Sequence, residues 1–204
     1  MNRTASLWAA GLAGALALSP ALLRADATVG QPAPLFSAPD ATGAARSLVT
    51  YKGKWVVLEW VNHECPFVQK HYGSGNMQKA QKAATAKGAV WLSVNSSAPG
   101  KQGALDGKLA AKMVAEKGAA PAAVLLDPDG KVGHAYGAKT TPHMFVIDPK
   151  GTVVYAGAID DKPSTDQADV ATAKNFVLAA LDEAMAGKPV TTASTQPYGC
   201  AVKY

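Results

Sequence analysis

The sequence predicts an α/β fold, a mixed central β-sheet flanked by helices on both faces with an N-terminal hairpin extension. Three observations carry that prediction. Residues 55–61 and 89–94 are runs of β-forming apolar residues, too hydrophobic for half-exposed strands, and read as central strands. Stretches with helical spacing separate the strand segments, as the crossovers of a parallel sheet require. Toward the C-terminus, Asp148, Pro149, Lys150 and Gly151 stand between two apolar runs, a hairpin signal that adds antiparallel strands to the parallel set.

The chain opens with Arg3, an uncharged run rich in Ala, Leu and Gly over residues 4–20, and small residues at Ala25 and Ala27. This is the pattern of a secretory signal peptide over residues 1–27, cleaved after Ala27 or Ala25. The run is shorter than the roughly 18 residues of a free-standing membrane span, so no stable span is expected after cleavage. The protein is expected to be exported, periplasmic or secreted. One domain is expected over residues 28–188, followed by a tail over residues 189–204 that carries Cys200. The formal charge of +5 is spread over isolated lysines, which suits solubility and argues against a nucleic-acid partner.

The elements follow in order. Asp40, Ala41, Thr42 and Gly43 mark the turn of the N-terminal hairpin. The central strand over residues 55–61 runs into Asn62, His63 and Glu64, and Cys65 precedes a helix opened by Pro66, where a missing N–H costs nothing. Gly73, Ser74 and Gly75 interrupt that helix before it resumes to residue 87. The strand over residues 89–94 leads through a polar loop to a helix with Leu105, Leu109 and Met113 on one face. Residues 122–126 form a further strand, residues 132–136 a short helix, and residues 143–147 and 152–156 the C-terminal hairpin. One helix is expected over residues 167–185, with Val170, Val177, Leu181 and Met185 on one face, then Gly187 and Pro189 as its stop. The tail reads as polar and irregular.

The chemistry centres on the two cysteines, Cys65 and Cys200, both in the part sent to an oxidising compartment. A thiol does redox work as its thiolate, which free N–H groups and the positive end of a helix dipole favour. Cys65, between a buried strand and a helix opened by proline, occupies such a position. The plainer alternative is a buried, inert cysteine.

Several motifs occur together in order. They are Val-Gly-Gln-Pro-Ala-Pro at 29–34, Gly-Lys-Trp-Val-Val-Leu at 53–58, Cys65 at a helix start, Leu-Leu-Asp-Pro-Asp-Gly at 125–130, Tyr136 with Gly137, and Thr141-Pro142-His143 leading into a strand. This pattern resembles the thioredoxin-like redoxin superfamily, which holds the alkyl hydroperoxide reductase and thiol-specific antioxidant domains and exported thiol-disulfide oxidoreductases. The resemblance implies a thioredoxin-like fold. It makes Pro142 the cis-proline that faces the active cysteine and binds substrate backbone, with Thr141 presented beside Cys65.

The departures from that pattern are as informative. Reductases with two cysteines a turn apart would need a second at position 68, which is Val68, so no self-contained dithiol cycle exists there. Peroxidases of the superfamily place their cysteine in that second slot, after a Thr or Ser, with a helping Arg. This chain has Asn62 three residues before Cys65, and its three arginines are Arg3, Arg24 and Arg46. The segment from Cys65 to Tyr72 and the Gly-Cys-Ala-Val-Lys-Tyr terminus resemble a peroxiredoxin-like subgroup that keeps only the first thioredoxin cysteine.

Three functions compete on this reading. In the first, the chain is a thiol-dependent oxidoreductase: Cys65 attacks a disulfide or a peroxide, Cys200 resolves, and an external thiol reductant reopens the bridge. Cys65 and Cys200 are then catalytic, and Thr141, Pro142, Pro66, Trp60 and His63 line the substrate site, with His63 favouring the thiolate by proximity. No cofactor is expected, and the partners are a protein or small-molecule thiol or disulfide. In the second, a permanent Cys65–Cys200 bridge pins the tail of a non-catalytic binding protein, a loop closure worth roughly 5 kcal/mol in the chain-entropy model. In the third, His63, Cys65 and His71, with Cys200 if it folds back, bind Cu(I) or Zn. His71 lies six residues along the helix from Cys65 and would not share its face.

Smaller signals carry less. Gly100-Lys101 lacks the first Gly and the hydroxyl residue of a phosphate loop. His134 and His143 read as packing or surface residues, Trp60 and Trp91 as core. Asp160 and Asp161 read as caps on the approach to the last helix.

Overall fold

Asp40 closes the N-terminal hairpin by accepting hydrogen bonds from the Thr42 hydroxyl at 2.6 Å, the Arg46 Nε at 2.7 Å and the Thr42 and Ala44 N–H groups. Strands β1 (Ser37–Pro39) and β2 (Ala45–Ser47) pair antiparallel across it. These donors outweigh burial and hold the carboxyl at about 2. The computed structural model describes residues 26–204. The expected leader lies outside the described residues apart from Asp26 and Ala27.

After a 3-10 turn (Leu48–Tyr51), β3 (Val56–Trp60) enters the centre of the sheet. Helix α1 (Pro66–Gly73) follows, broken from α2 (Asn76–Ala86) at the expected glycines, and the chain continues through β4 (Val90–Asn95), α3 (Gly107–Lys117), β5 (Ala123–Leu126) and α4 (Lys131–Tyr136). The remainder is β6 (Thr140–Thr141), β7 (His143–Ile147), β8 (Val153–Gly157), a 3-10 turn (Gln167–Ala171), α5 (Phe176–Met185) and β9 (Cys200–Ala201). The five-stranded sheet runs β5-β4-β3-β7-β8; β3 is parallel to β4 and antiparallel to β7. This is the mixed α/β sheet the sequence predicts. Among the described residues no helix is long and apolar enough to cross a membrane.

Successive strand residues point to opposite faces, and β3 divides the core accordingly. Val57 and Val61 pack with Cys65, Val68, Trp91 and Met144 on one side. Val56, Leu58 and Trp60 pack with Tyr136 and Phe145 on the other. Trp60 is fully buried there, its Nε1 donating to Ser96 Oγ at 3.0 Å, and Ser96 donates to Asp127. It therefore cannot line a pocket at Cys65: the two-residue period sends its ring through to the far face.

Three further expectations need correction. The helix over residues 167–185 is two elements, because the Asn175 side chain accepts from Leu178 N–H at 2.9 Å and starts α5 afresh. In α3, Asp106 caps the Leu109 N–H, which leaves Leu105 outside the helix, turns Ala110 inward and leaves Leu109 39% exposed. The tail is not irregular throughout. Thr195 N–H bonds to Ala156 O, Val202 N–H to Lys139 O, Ala98 N–H to Lys203 O and the Tyr204 hydroxyl to Ala138 O, so the tail is strapped across the molecule.

Glu59 is a fully buried carboxyl in the middle of β3. It accepts from Tyr72 Oη and Trp91 Nε1 at 2.8 Å, Ser93 Oγ at 2.9 Å and Gln81 Nε2 at 3.3 Å. Burial raises its pKa and the four donors only partly offset this. Glu59→Ala strands these donors and opens a cavity, so urea unfolding should show a loss of at least about 3 kcal/mol. Because the folded pKa is raised, Glu59's contribution is complete below the unfolded pKa near 4.5 and declines as pH rises through the folded value. The loss on mutation should accordingly be smaller at pH 8 than at pH 5.

Candidate active site

Cys65 is the N-cap of α1, with extended backbone (φ −76°, ψ 125°) and Pro66 in the first turn. The turn before it is held by Asn62, whose carbonyl accepts the Cys65 N–H at 3.0 Å and whose Oδ1 accepts the Glu64 N–H at 2.9 Å. Asn62 Nδ2 reaches the Gln102 carbonyl. Asn62 thus shapes the loop and has no hydrogen bond to the sulfur.

Two chain segments converge on Cys65 Sγ. The Thr141–Pro142 peptide is cis, and the Cys65 thiol donates to the Thr141 carbonyl at 3.1 Å. From the other side the Cys200 N–H donates to Cys65 Sγ at 3.4 Å. β9 pairs antiparallel with β6, Thr141 opposite Cys200, and the Thr141 hydroxyl lies 3.5 Å from the Cys200 carbonyl. Gly199 makes this approach possible, since a Cβ there would stand 2.1 Å from the Thr141 carbonyl oxygen. Both cysteines are free thiols; Cys65 is buried and Cys200 half-buried.

Their acidities diverge. Burial pushes the Cys65 thiol up, but contacts from the Cys200 side chain and N–H, the Val68 N–H and the Thr141 side chain together bring it below the ordinary value. Burial and the neighbouring Cys65 push Cys200 up to about 11. Cys65 is the better thiolate and the better leaving group.

The remaining expected site residues fare unequally. Pro66 is exposed beside Cys65. His63 packs edge-on against Tyr72, 4.9 Å between ring centres, and its buried Nδ1 has no hydrogen-bond partner. Burial, then Lys117, lowers its pKa to about 4, so at neutral pH it carries no charge with which to favour the thiolate, contrary to expectation. His71 is committed elsewhere: Nδ1 lies 2.8 Å from Asn76 Nδ2 and Nε2 3.2 Å from Tyr198 Oη. The arrangement does not gather His63, Cys65 and His71, and among the described residues no three His, Cys, Asp or Glu side chains converge as a metal site. Arg46 is spent on Asp40 in the hairpin. A 340 Å³ apolar groove lined by Leu35, Val49, Tyr51 and Pro149 lies at the other end of β3 from Cys65.

Four residues near the site escape the sequence reading. Glu59 is a charge inside an apolar run, which is a visible signal, whereas Lys70 stands between Gln69 and His71 and gives none. Asp160 is not a helix cap but a buried carboxylate facing Lys70, and Asp161 alone accepts from the Lys174 N–H. Tyr198 meets Asp160 from far along the chain.

An N-capping cysteine opposite the residue before a cis-proline, on this mixed sheet, defines a thioredoxin-like protein with a thiol at its centre. The chain belongs to the AhpC/TSA family, whose model matches residues 29–156. A hypothetical protein from Sinorhizobium meliloti 1021 is similar at 25% identity and TM-score 0.73, over 87% of this chain and 94% of that one. An uncharacterized conserved protein from Geobacillus kaustophilus shares the fold at 24% identity and TM-score 0.73, over 87% and 93%. A chain described as a thiol:disulfide interchange protein, DsbE, from Chlorobium tepidum is 29% identical with TM-score 0.51, over 63% and 84%. No curated protein matches the sequence.

Proposed function

We propose that the protein is an exported thiol-disulfide oxidoreductase in which Cys65 is the nucleophile and Cys200 the resolving cysteine. The observation that carries this reading is the Cys200 N–H on Cys65 Sγ, with the tail paired to Thr141. Membership of the AhpC/TSA family and the likeness to the Chlorobium interchange protein support thiol-disulfide chemistry. The leader pattern over residues 1–27 supports export to the periplasm or beyond, as a domain over residues 28–188 with the tail over residues 189–204.

The Cys65 thiolate attacks a disulfide RS–SR, forming Cys65–S–SR and expelling RS⁻. The Cys200 sulfur, giving its proton to a departing thiolate, attacks Cys65 Sγ; the Cys65–Cys200 bond forms and the second thiol leaves. An external thiol then attacks Cys200, the more exposed sulfur, and expels Cys65 as thiolate. A second external thiol attacks its own partner's sulfur and frees Cys200. Thr141 and Pro142 supply the substrate-facing wall, with Pro66 at its rim. With no arginine beside Cys65 among the described residues, disulfides fit the site better than peroxides do. A peroxide would convert Cys65 to the sulfenic acid, which Cys200 would condense with, releasing water.

Cys200→Ser tests this reading. After exposure to oxidised glutathione and digestion without reductant, the variant should retain glutathione on Cys65. The wild type should lose it and show Cys65 joined to Cys200. Persistence of the glutathione adduct in both proteins would contradict the role given to Cys200.

A further inference from the structure

Helix α1 carries Cys65 at its first end, and its next turns carry a second device that the thiol chemistry does not use. Lys70 and His71 are completely buried. Lys70 Nζ donates to the Lys162 carbonyl at 2.6 Å and lies 3.9 Å from Asp160 Oδ2. A buried ion pair of this kind contributes little stability relative to an apolar replacement, because desolvation offsets the attraction. Its presence calls for another explanation, and the tail supplies one.

Tyr198, two residues before Cys200, lays its ring on the same helix. Its centre is 5.8 Å from that of Phe67 at a steep angle, and Lys70 Nζ stands 5.8 Å from it. The Tyr198 hydroxyl donates to Asp160 Oδ1 and accepts from His71 Nε2. The direction of the chain is settled by its far end: Asn76 Nδ2 has only protons to offer, so His71 Nδ1 accepts and Nε2 carries the hydrogen. Burial keeps His71 neutral, with its pKa near 4, which agrees with that tautomer. Donors thus run in one sense from Asn76 through His71 and Tyr198 to Asp160, whose charge Lys70 balances.

We infer that Tyr198, clamped by Asp160, Lys70 and His71, is a positioning residue that sets Cys200 in register against Cys65. This rests on the reading of the two cysteines as a cycling pair and extends it: the helix that presents the nucleophile also grips the strand that brings the resolving thiol. Tyr198 touches neither sulfur in this account and acts through the backbone of Gly199 and Cys200.

Tyr198→Phe in the full chain keeps the ring against Phe67 and removes only the hydroxyl, so the fold should persist by circular dichroism. Two readouts apply. In the reduced protein, alkylation of Cys65 by iodoacetamide should accelerate at least tenfold, because the covering tail is released. The Cys65–Cys200 equilibrium against glutathione should shift at least tenfold toward the dithiol, equivalent to about 30 mV. A variant that melts at a lower temperature while both readouts stay at wild-type values would overturn the inference, and would do so even with the cysteine cycle intact. If wild-type protein never forms the disulfide but Tyr198→Phe still unmasks Cys65, the positioning role stands and the cycling reading falls.

Discussion

Replacing Cys65 by serine should lower the turnover of a model disulfide such as oxidised glutathione at least about a thousandfold, because a hydroxyl at neutral pH supplies almost no anion for the displacement. The expected loss is larger than for any other single change, since every bond made in the proposed cycle passes through this sulfur. Cys200→Ser should behave differently: the first displacement survives and only release from Cys65 fails. The pair of variants therefore separates nucleophile from resolver. With His63 neutral down to a pKa of about 4, the pH profile of the wild-type first step should follow a single group, the Cys65 thiol lowered from its ordinary value, with no separate histidine step. Equal residual rates in the two variants, measured as glutathione released per turnover, would mean that the assignment of roles is wrong.

Gly199→Val should nearly abolish closure of the Cys65–Cys200 bridge, by about a hundredfold or more, while leaving the domain folded. Two effects act together. Gly199 has φ of +137°, where a side chain is strained, and its Cβ would stand 2.1 Å from a backbone oxygen that cannot move away cheaply. The tail must leave Thr141, and Cys200 leaves with it. The core packs between the sheet and its helices, so the melting transition should move little by comparison. Stopped oxidation followed by alkylation and peptide mapping would measure the closure rate, and a rate within a few-fold of wild type would remove the tail strand from the account.

Much of this fold is legible in the sequence where the signal is local and periodic. The central strands, the break at Gly73, Ser74 and Gly75 and the hairpin at residues 148–151 follow from runs, alternation and turn chemistry, and each is present within a residue or two. The last helix divides where the spacing suggests continuity, because Val170 and Val177 sit seven residues apart, which a continuous helix satisfies but a 3-10 turn and a fresh Asn175 cap satisfy equally. Trp60 differs for another reason, since it lies on the far face of the sheet from Cys65. Alternation along β3 sends it to the face opposite Val61, and proximity in sequence to Cys65 does not override that period.

The candidate site divides the same way. Cys65 at a helix start and cis-Pro142 are local features with a recognisable context. The meeting of Cys200 with Cys65, and of Tyr198 with Asp160 and Lys70, depends on where a polar tail of ordinary composition lands. No periodicity encodes that. What the sequence does hold is indirect: Gly199 before Cys200, and a charge at Glu59 where the strand pattern wants an apolar residue.

Whether Cys65 and Cys200 form one reversible redox couple is decided by a redox titration of the whole protein. Equilibration in glutathione buffers of graded potential, acid quenching, alkylation and peptide mapping would give the fraction of chains with Cys65 joined to Cys200. A single two-electron transition is expected, fully reversible, at a potential above about −300 mV. Thiols that never join across that range, or a bridge that persists well below it as structural disulfides do, would mean that Cys65 and Cys200 are not a cycling pair.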